Sequence, residues 1–300
     1  MSSRTSSAQV SCPLLKPYMR NPTARYDPEK YEIDEDGLLR AIVGPWVRDK
    51  HARLQKYVGI SRAVRRKFVD KAGATYIDLF SGPGRARIRD TTDVVLGSPL
   101  VAWNESLRES PFTEVHVCDA DSSILNAAAA RLRNAGAPVA PEVGPAAQVI
   151  DRIISKLNPS GLHFAFLDPY NLESLPFELI RKLAVLERMD ILMHVSAYDL
   201  QVNLRAYIDR ADSPLDSFAP GWRDKVDTTR PDNLVRPKIM EYWRSLLRQE
   251  GMNTTEVHEL VVGTNNQRLY WLAFAARHGR AVEFWQKIRA VGESRQASLL

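Results

Sequence analysis

Tyr76-Ile77-Asp78-Leu79-Phe80 runs directly into Ser81-Gly82-Pro83-Gly84. The first five residues suit a short buried strand, and the glycines let the backbone turn and let a ligand approach without a Cβ in the way. A strand that ends in a glycine turn is where open α/β sheets bind nucleotides. Two further stretches place polar chemistry after apolar runs. Asp119-Ala120-Asp121 follows Glu114–Cys118, and Asp168-Pro169-Tyr170 follows His163–Leu167. A carboxylate just past a strand can take both hydroxyls of a ribose, although Asp at such a place also caps helices. Proline fixes φ and removes a donor, so Asp-Pro-Tyr directs a carboxylate and an aromatic ring outward from a strand end.

These residues meet only if the intervening chain alternates strands and helices. The pattern predicts strands at Thr75–Phe80, Glu114–Cys118, Val139–Val143, His163–Leu167 and Asp190–Val195, each followed by a helix. Ser98-Pro99 is read as a helix start with Ser98 as cap. The arginines Arg85, Arg87 and Arg89 fall in a long loop ahead of it. After a helix at Pro237–Glu250, runs at Thr255–Val262 and Arg268–Ala276 flank Gly263-Thr264-Asn265-Asn266, a hairpin signal. Five parallel β/α units and a closing antiparallel hairpin predict a Rossmann-like class I methyltransferase fold. Its sheet is mostly parallel and seven-stranded. Residues 1–34 are read as a flexible arm, and residues 35–300 as one domain. Residues 35–72 are expected to form a helical layer, with Leu38, Leu39, Ile42 and Val43 on one apolar face, and residues 211–236 an insertion or lid.

Composition excludes several classes. Of 300 residues, 44% are apolar, enough for a full core, yet no apolar run reaches membrane-spanning length. The start, Met1-Ser2-Ser3-Arg4, lacks a secretory apolar segment, and Cys12 and Cys118 cannot cage a metal by themselves. A reducing cytoplasm is expected, with no metal and no membrane partner. The net charge of +5 permits an acidic partner. Arg62, Arg65, Arg66 and Lys67 suit a solvated helix face, while Arg85, Arg87 and Arg89 are placed to touch substrate or cofactor. His116, His163, His194 and His258 lie in or beside strand-like runs and read as core or edge residues.

Several pieces taken together resemble the three-Cys-motif partner proteins, methyltransferase-like chains often encoded beside a radical-cofactor-like protein with three cysteines. They are Val43-Gly44-Pro45-Trp46 with Lys50, Leu54-Gln55-Lys56-Tyr57, Tyr76 to Arg85, Gly97-Ser98-Pro99-Leu100, Phe164 to Tyr170, and Leu269 to Ala275 before Arg277-His278. The resemblance spans roughly residues 35–291. It implies an S-adenosylmethionine site and leaves the substrate open. Asp168-Pro169-Tyr170 also resembles the Asp-Pro-Pro-Tyr signature of amino-methyltransferases acting on DNA and RNA bases, with one proline fewer. One departure is that Val143-Gly144-Pro145-Ala146 stands where the family usually has an acidic residue for the adenine amino group.

The expected cofactor contacts are therefore Asp78, Phe80, Ser81, Gly82, Pro83, Gly84, Asp119 and Asp121, with Asp119 preferred over Asp121 for the ribose. Asp168, Pro169 and Tyr170 are the expected acceptor-orienting residues. The leading function is methyl transfer from S-adenosylmethionine to an amine nitrogen such as that of an RNA or DNA base. The alternative is a catalytically silent partner module for a radical-type three-Cys-motif protein.

Overall fold

The computed structural model describes residues 26–255, 259–262 and 268–297. In chain order the elements are β1 (Tyr31–Ile33), β2 (Leu39–Val43), α1 (Val47–Ile60), α2 (Arg62–Arg65), β3 (Ala74–Asp78), β4 (Arg85–Ile88), β5 (Val94–Leu96), α3 (Ser98–Ser106), β6 (Glu114–Asp119), α4 (Ser122–Asn134), β7 (Val139–Val143) and α5 (Ala146–Ile154). Then follow β8 (Leu162–Leu167), α6 (Phe177–Ala184), β9 (Met189–Ser196), α7 (Ala197–Asp209), α8 (Pro214–Phe218), α9 (Asp232–Gln249), β10 (Asn253–Thr254), β11 (Glu259–Val262), β12 (Arg268–Ala276) and α10 (Gly279–Ala297).

The main sheet runs β7-β6-β3-β8-β9-β12, and β10 and β11 share its last edge by pairing with opposite ends of β12. The first five strands are parallel and β12 is antiparallel to β9. Counting β10 and β11 as one edge gives seven strand positions with a reversed strand beside the edge. That is the class I methyltransferase order, as the alternation of elements predicts. The order reverses at β3, so β3 and its neighbours β6 and β8 bring their carboxyl ends to the ligand-binding edge.

Every residue of β3 is buried, because the sheet is covered on both faces. On one face α1, α3, α4 and α10 pack Leu54, Tyr57, Leu100, Trp103, Leu125 and Trp285 around Tyr76, Phe164 and Phe274. On the other, α5 to α9 pack Ile150, Phe177, Ile180, Leu200, Phe218 and Trp243 against Ile77, Ala165 and Ile191.

Two expectations are corrected. Residues 35–43 are not helical: Leu39–Val43 is a strand paired antiparallel with Tyr31–Ile33, so the expected arm also ends in a strand. The apolar spacing suited either period, but Ile42 and Val43 are β-branched, and Gly37 takes φ +75° in the turn between the strands. Only the segment from Val47 onward supplies the helices expected over residues 35–72. The arginine loop is a hairpin: β4 and β5 pair antiparallel, and β2 lies parallel to β4. The result is a four-stranded accessory sheet, β1-β2-β4-β5.

Residues 211–236, the expected insertion or lid, pack on the body of the domain. Leu215, Phe218, Trp222 and Val235 are buried, and the Phe218 ring stacks on Trp243 at 5.1 Å. Arg223 binds Asp216 and the carbonyls of Tyr207, Ile208 and Arg210. The turn at Gly263–Asn266, His258, Cys12 and the first 25 residues of the arm lie outside the described residues. No described helix is long and apolar enough to cross a membrane.

Candidate active site

The chain leaves β3 through Phe80 and Ser81 into two glycines of positive φ, Gly82 at +56° and Gly84 at +84°. A Cβ added at Gly82 meets nothing within 4 Å, so the turn faces open space there. At Gly84 a Cβ would come 3.3 Å from the Ala128 backbone on α4, so this glycine allows close helix packing as well as the turn. The loop is fastened on several sides. The Ser81 N–H donates to the Cys118 carbonyl at 2.9 Å, and the Pro83 carbonyl accepts from Arg131 Nη1 at 2.7 Å. The half-buried Phe80 packs on the core beneath.

Asp78 does not face the open space. It is fully buried, accepts from the Tyr76 hydroxyl at 3.0 Å and the Phe80 N–H at 3.2 Å, and is bonded by Ser98. Among the expected cofactor residues, it is the one that holds the base of the turn. Ser98 serves the same network from the first helical position. The N-cap of α3 is Gly97.

Burial pushes the Asp78 carboxyl up to about 7, against the opposing hydrogen bonds of Ser98, Tyr76 and Phe80. Between the ordinary carboxylate pKa and about 7, the folded chain keeps a proton that the unfolded chain has released. This contribution to stability is therefore present at low pH and lost as pH rises. Denaturant titrations from pH 4.5 to 7 should show Asp78→Asn flattening the pH dependence by about 1.4 kcal/mol per pH unit. Superimposable slopes for wild type and variant would show that Asp78 is ionised throughout.

The second strand end gives Asp119 and Asp121, and their roles divide. Asp121 caps α4, accepting from the Ser123 N–H at 2.7 Å and the Ile124 N–H at 3.2 Å. Both bonds go to its Oδ1, and the residue is exposed. Asp119 is half-buried beside the glycine loop, and the backbone N–H groups of Asp121, Gly82 and Ala120 bond its carboxylate. Burial outweighs those bonds and raises its pKa. Next to it lies Tyr31 of the accessory sheet, whose hydroxyl is pushed up to about 12 by burial and by Asp119, Asp121 and Asp27. The accessory sheet therefore borders the cradle.

At the third strand end, Gly144 takes φ +138° and its N–H donates to the Asp119 carbonyl at 3.0 Å. Glu142 is engaged by Lys156 and by Arg152 at 3.3 Å. The thiol of Cys118 is buried, bonds the Gly144 carbonyl, and is pushed up to about 12 by burial.

The fourth strand end carries Asp168, and the structure adds two partners. Lys50 Nζ on α1 pairs with its Oδ2, and His194 Nδ1 on β9 lies 2.8 Å from its Oδ1. Burial alone would raise the Asp168 pKa, but Lys50 and His194 outweigh it and hold the carboxyl well below its usual range. Asp168 is thus an anion at the mouth, with Pro169 buried behind it. Tyr170 projects outward, 86% exposed, with Lys30 Nζ 5.6 Å from its ring centre.

Sequence reasoning gave Lys50 no role and read His194 as a core or edge residue. His194 lines the site instead, its ring 3.7 Å from that of Tyr270. A signal existed for Lys50, which falls on the apolar stripe of α1 with Val47, Leu54, Tyr57 and Val58. A lysine on a buried stripe calls for an anion opposite.

The arginines expected to contact ligand are largely engaged elsewhere. Arg87 holds Glu32 at 2.7 Å and Arg85 holds Asp34 at 3.1 Å. In the earlier cluster Arg65 is buried, bonding the Ser110 carbonyl at 3.0 Å and lying over the Phe112 ring.

No protein-family model and no curated protein sequence matches the chain. Among solved structures, it is similar to an O-methyltransferase from Bacillus cereus in complex with SAH. The identity is 13% over 78% of this chain and 82% of that one, with a TM-score of 0.44. It is similar to the O-methyltransferase TomG from Streptomyces achromogenes in complex with SAM at 14% identity, over 77% and 89% of the chains, TM-score 0.43. An rRNA methylase from Streptococcus thermophilus matches at 10% identity, over 79% and 100%, TM-score 0.38. The strand order described above, not these likenesses, defines the fold.

Proposed function

We propose that the chain is an S-adenosylmethionine-dependent methyltransferase acting on an amine nitrogen, such as that of a nucleic-acid base. The observation that carries this reading is the convergence of three strand ends at the reversal of strand order. They are the open turn at Gly82, the half-buried carboxylate of Asp119 beside it, and the ionised Asp168 at the mouth. The residues fit the cofactor. Gly82 leaves room for the amino-acid end, and Asp119, which its N–H holds, is placed for the ribose hydroxyls. When bound, S-adenosylmethionine supplies an electrophilic methyl group.

The acceptor's part falls to Asp168 and Tyr170. Each Asp168 oxygen has one partner, Lys50 or His194, and keeps a further lone pair that can accept an N–H hydrogen from a planar amine and turn the amine's lone pair toward the methyl group. Tyr170 can stack on a flat ring. Proximity and orientation then supply most of the rate, since a neutral amine attacks first and loses its proton afterwards.

Calorimetric titration of S-adenosylmethionine and its demethylated product tests the reading. Micromolar binding is expected, and Gly82→Val should abolish it, because valine disfavours φ +56° and fills the open space. Folded wild-type protein that binds neither compound would sink the proposal. One feature favours a second reading, the silent partner of a three-Cys-motif protein. Val143-Gly144-Pro145-Ala146 offers no carboxylate for adenine, and Glu142 is already paired. That reading expects a stable complex and no turnover.

A further inference from the structure

The segment that opens the accessory sheet, residues 27–31, is tied to both sides of the candidate site. Its last residue, Tyr31, lies beside Asp119 and packs with Leu39 of β2 against Ile124 and Ala127 of α4. The residue before it, Lys30, places its Nζ 5.6 Å from the ring centre of Tyr170. Asp119 ends β6, Tyr170 follows β8, and the strand between them is β3 with its glycine turn. Two adjacent residues that reach both outer strand ends cross over the middle one. The segment is thus a strap over the turn at Gly82, where a Cβ meets nothing within 4 Å.

Hydrogen bonds fix the strap in place. The Tyr31 N–H donates to the Asp27 carbonyl at 2.9 Å, and the Lys30 carbonyl accepts from the Ile42 N–H at 2.7 Å. Asp27 also answers the Lys30 ammonium, at 3.6 Å. Arg131 Nη1 donates to the Leu39 carbonyl at 2.6 Å and the Pro83 carbonyl at 2.7 Å, which sets the distance between the accessory sheet and the turn.

One group on the strap is left over. Tyr31 is half-buried near Asp119, Asp121 and Asp27, yet its hydroxyl makes no hydrogen bond among the described residues. Burial and those carboxylates push it up to about 12, so it stays a donor at neutral pH. A half-buried phenol of this kind calls for an acceptor. The surrounding carboxylates would repel a phosphate, whereas a sugar hydroxyl suits both neighbours: it donates to a carboxylate and accepts from the phenol.

We propose that Tyr31 is a cofactor-binding residue, donating its O–H to the ribose that Asp119 holds, with the strap covering the cofactor. This contact rests on the methyltransferase reading, and its test lets the two fail separately. The measurement is calorimetry on the full chain with S-adenosylhomocysteine and its 2′-deoxy and 3′-deoxy forms. Tyr31→Phe keeps the ring against Ile124 and Ala127, so its Tm should match that of wild type. Its affinity for S-adenosylhomocysteine should fall about five- to tenfold, the worth of one hydrogen bond. That loss should vanish with at least one deoxy form, the one lacking the hydroxyl that Tyr31 meets. A purely structural tyrosine would instead move Tm and weaken all three compounds alike. Wild-type affinity in Tyr31→Phe, or equal losses for all three, would overturn the contact and leave the methyltransferase reading standing. Folded wild type that binds none of the three would overturn both.

Discussion

Asp168→Asn is expected to reduce methyl transfer by about a thousandfold while leaving S-adenosylmethionine affinity within a few-fold. The carboxylate is held ionised at the mouth, so its loss removes the acceptor's partner without touching the glycine turn. The substitution has a second effect. Lys50, only 10% exposed, loses its counter-ion. Breaking a buried pair from one side costs about 3–5 kcal/mol, because the remaining charge is uncompensated. A stability loss alone could imitate a catalytic defect, and the double variant Lys50→Met/Asp168→Asn separates the two. It removes both charges, so denaturation should return toward wild type while transfer stays low. Filter-bound label from S-adenosylmethionine on the RNA or DNA pool that wild type modifies gives the transfer rate, and calorimetry gives the affinity. If transfer recovered with stability, Asp168 would be a structural anchor for α1. If cofactor binding vanished along with transfer, Asp168 would belong to the cofactor pocket.

The parts of this site that could be read from the chain are those written in local sequence. Gly82 and Gly84 sit at the end of a short apolar run, and both take the positive φ that only glycine adopts freely. The strand order follows from five β/α repeats and a reversed hairpin, because each repeat leaves a periodic trace. What was illegible depends on contacts across long separations. Lys50 and Asp168 are 118 positions apart, and nothing near His194 distinguishes a core imidazole from one beside a carboxylate. The accessory sheet was hidden for a different reason. Leu38, Leu39, Ile42 and Val43 satisfy a helical period, and their strand partners are a three-residue strand and a hairpin that looked like a loop. Charges gave the same lesson. Arg85 and Arg87 follow the glycine turn as ligand-binding arginines would, yet Asp34 and Glu32 already hold them.

That network makes Arg131 the residue whose loss should be felt furthest from its own position. Its side chain is 5% exposed and joins three parts of the molecule. From α4 it donates to Asp36 at 2.7 Å and Asp34 at 3.2 Å, to the Leu39 carbonyl at 2.6 Å in the accessory sheet, and to the Pro83 carbonyl at 2.7 Å in the glycine turn. Arg131→Met keeps much of the apolar stem but strands two buried carbonyls and one side of the carboxylates. A loss of about 3–5 kcal/mol is expected, read as a fall of roughly 5–10 °C in Tm. Arg131→Lys should recover little, because one ammonium cannot reach carbonyls and carboxylates in a planar fork. Calorimetry on the folded fraction should also show weaker S-adenosylmethionine binding, since the Pro83 carbonyl fixes the turn that forms the cradle. Asp34 keeps Arg40 at 2.8 Å and Arg85 at 3.1 Å in the variant, so the accessory sheet itself should stay assembled. A variant as stable as wild type would mean that the sheet is held by its apolar contacts with Ile124 and Ala127 instead. A destabilised variant with unchanged cofactor affinity would mean that the turn keeps its shape without the clamp.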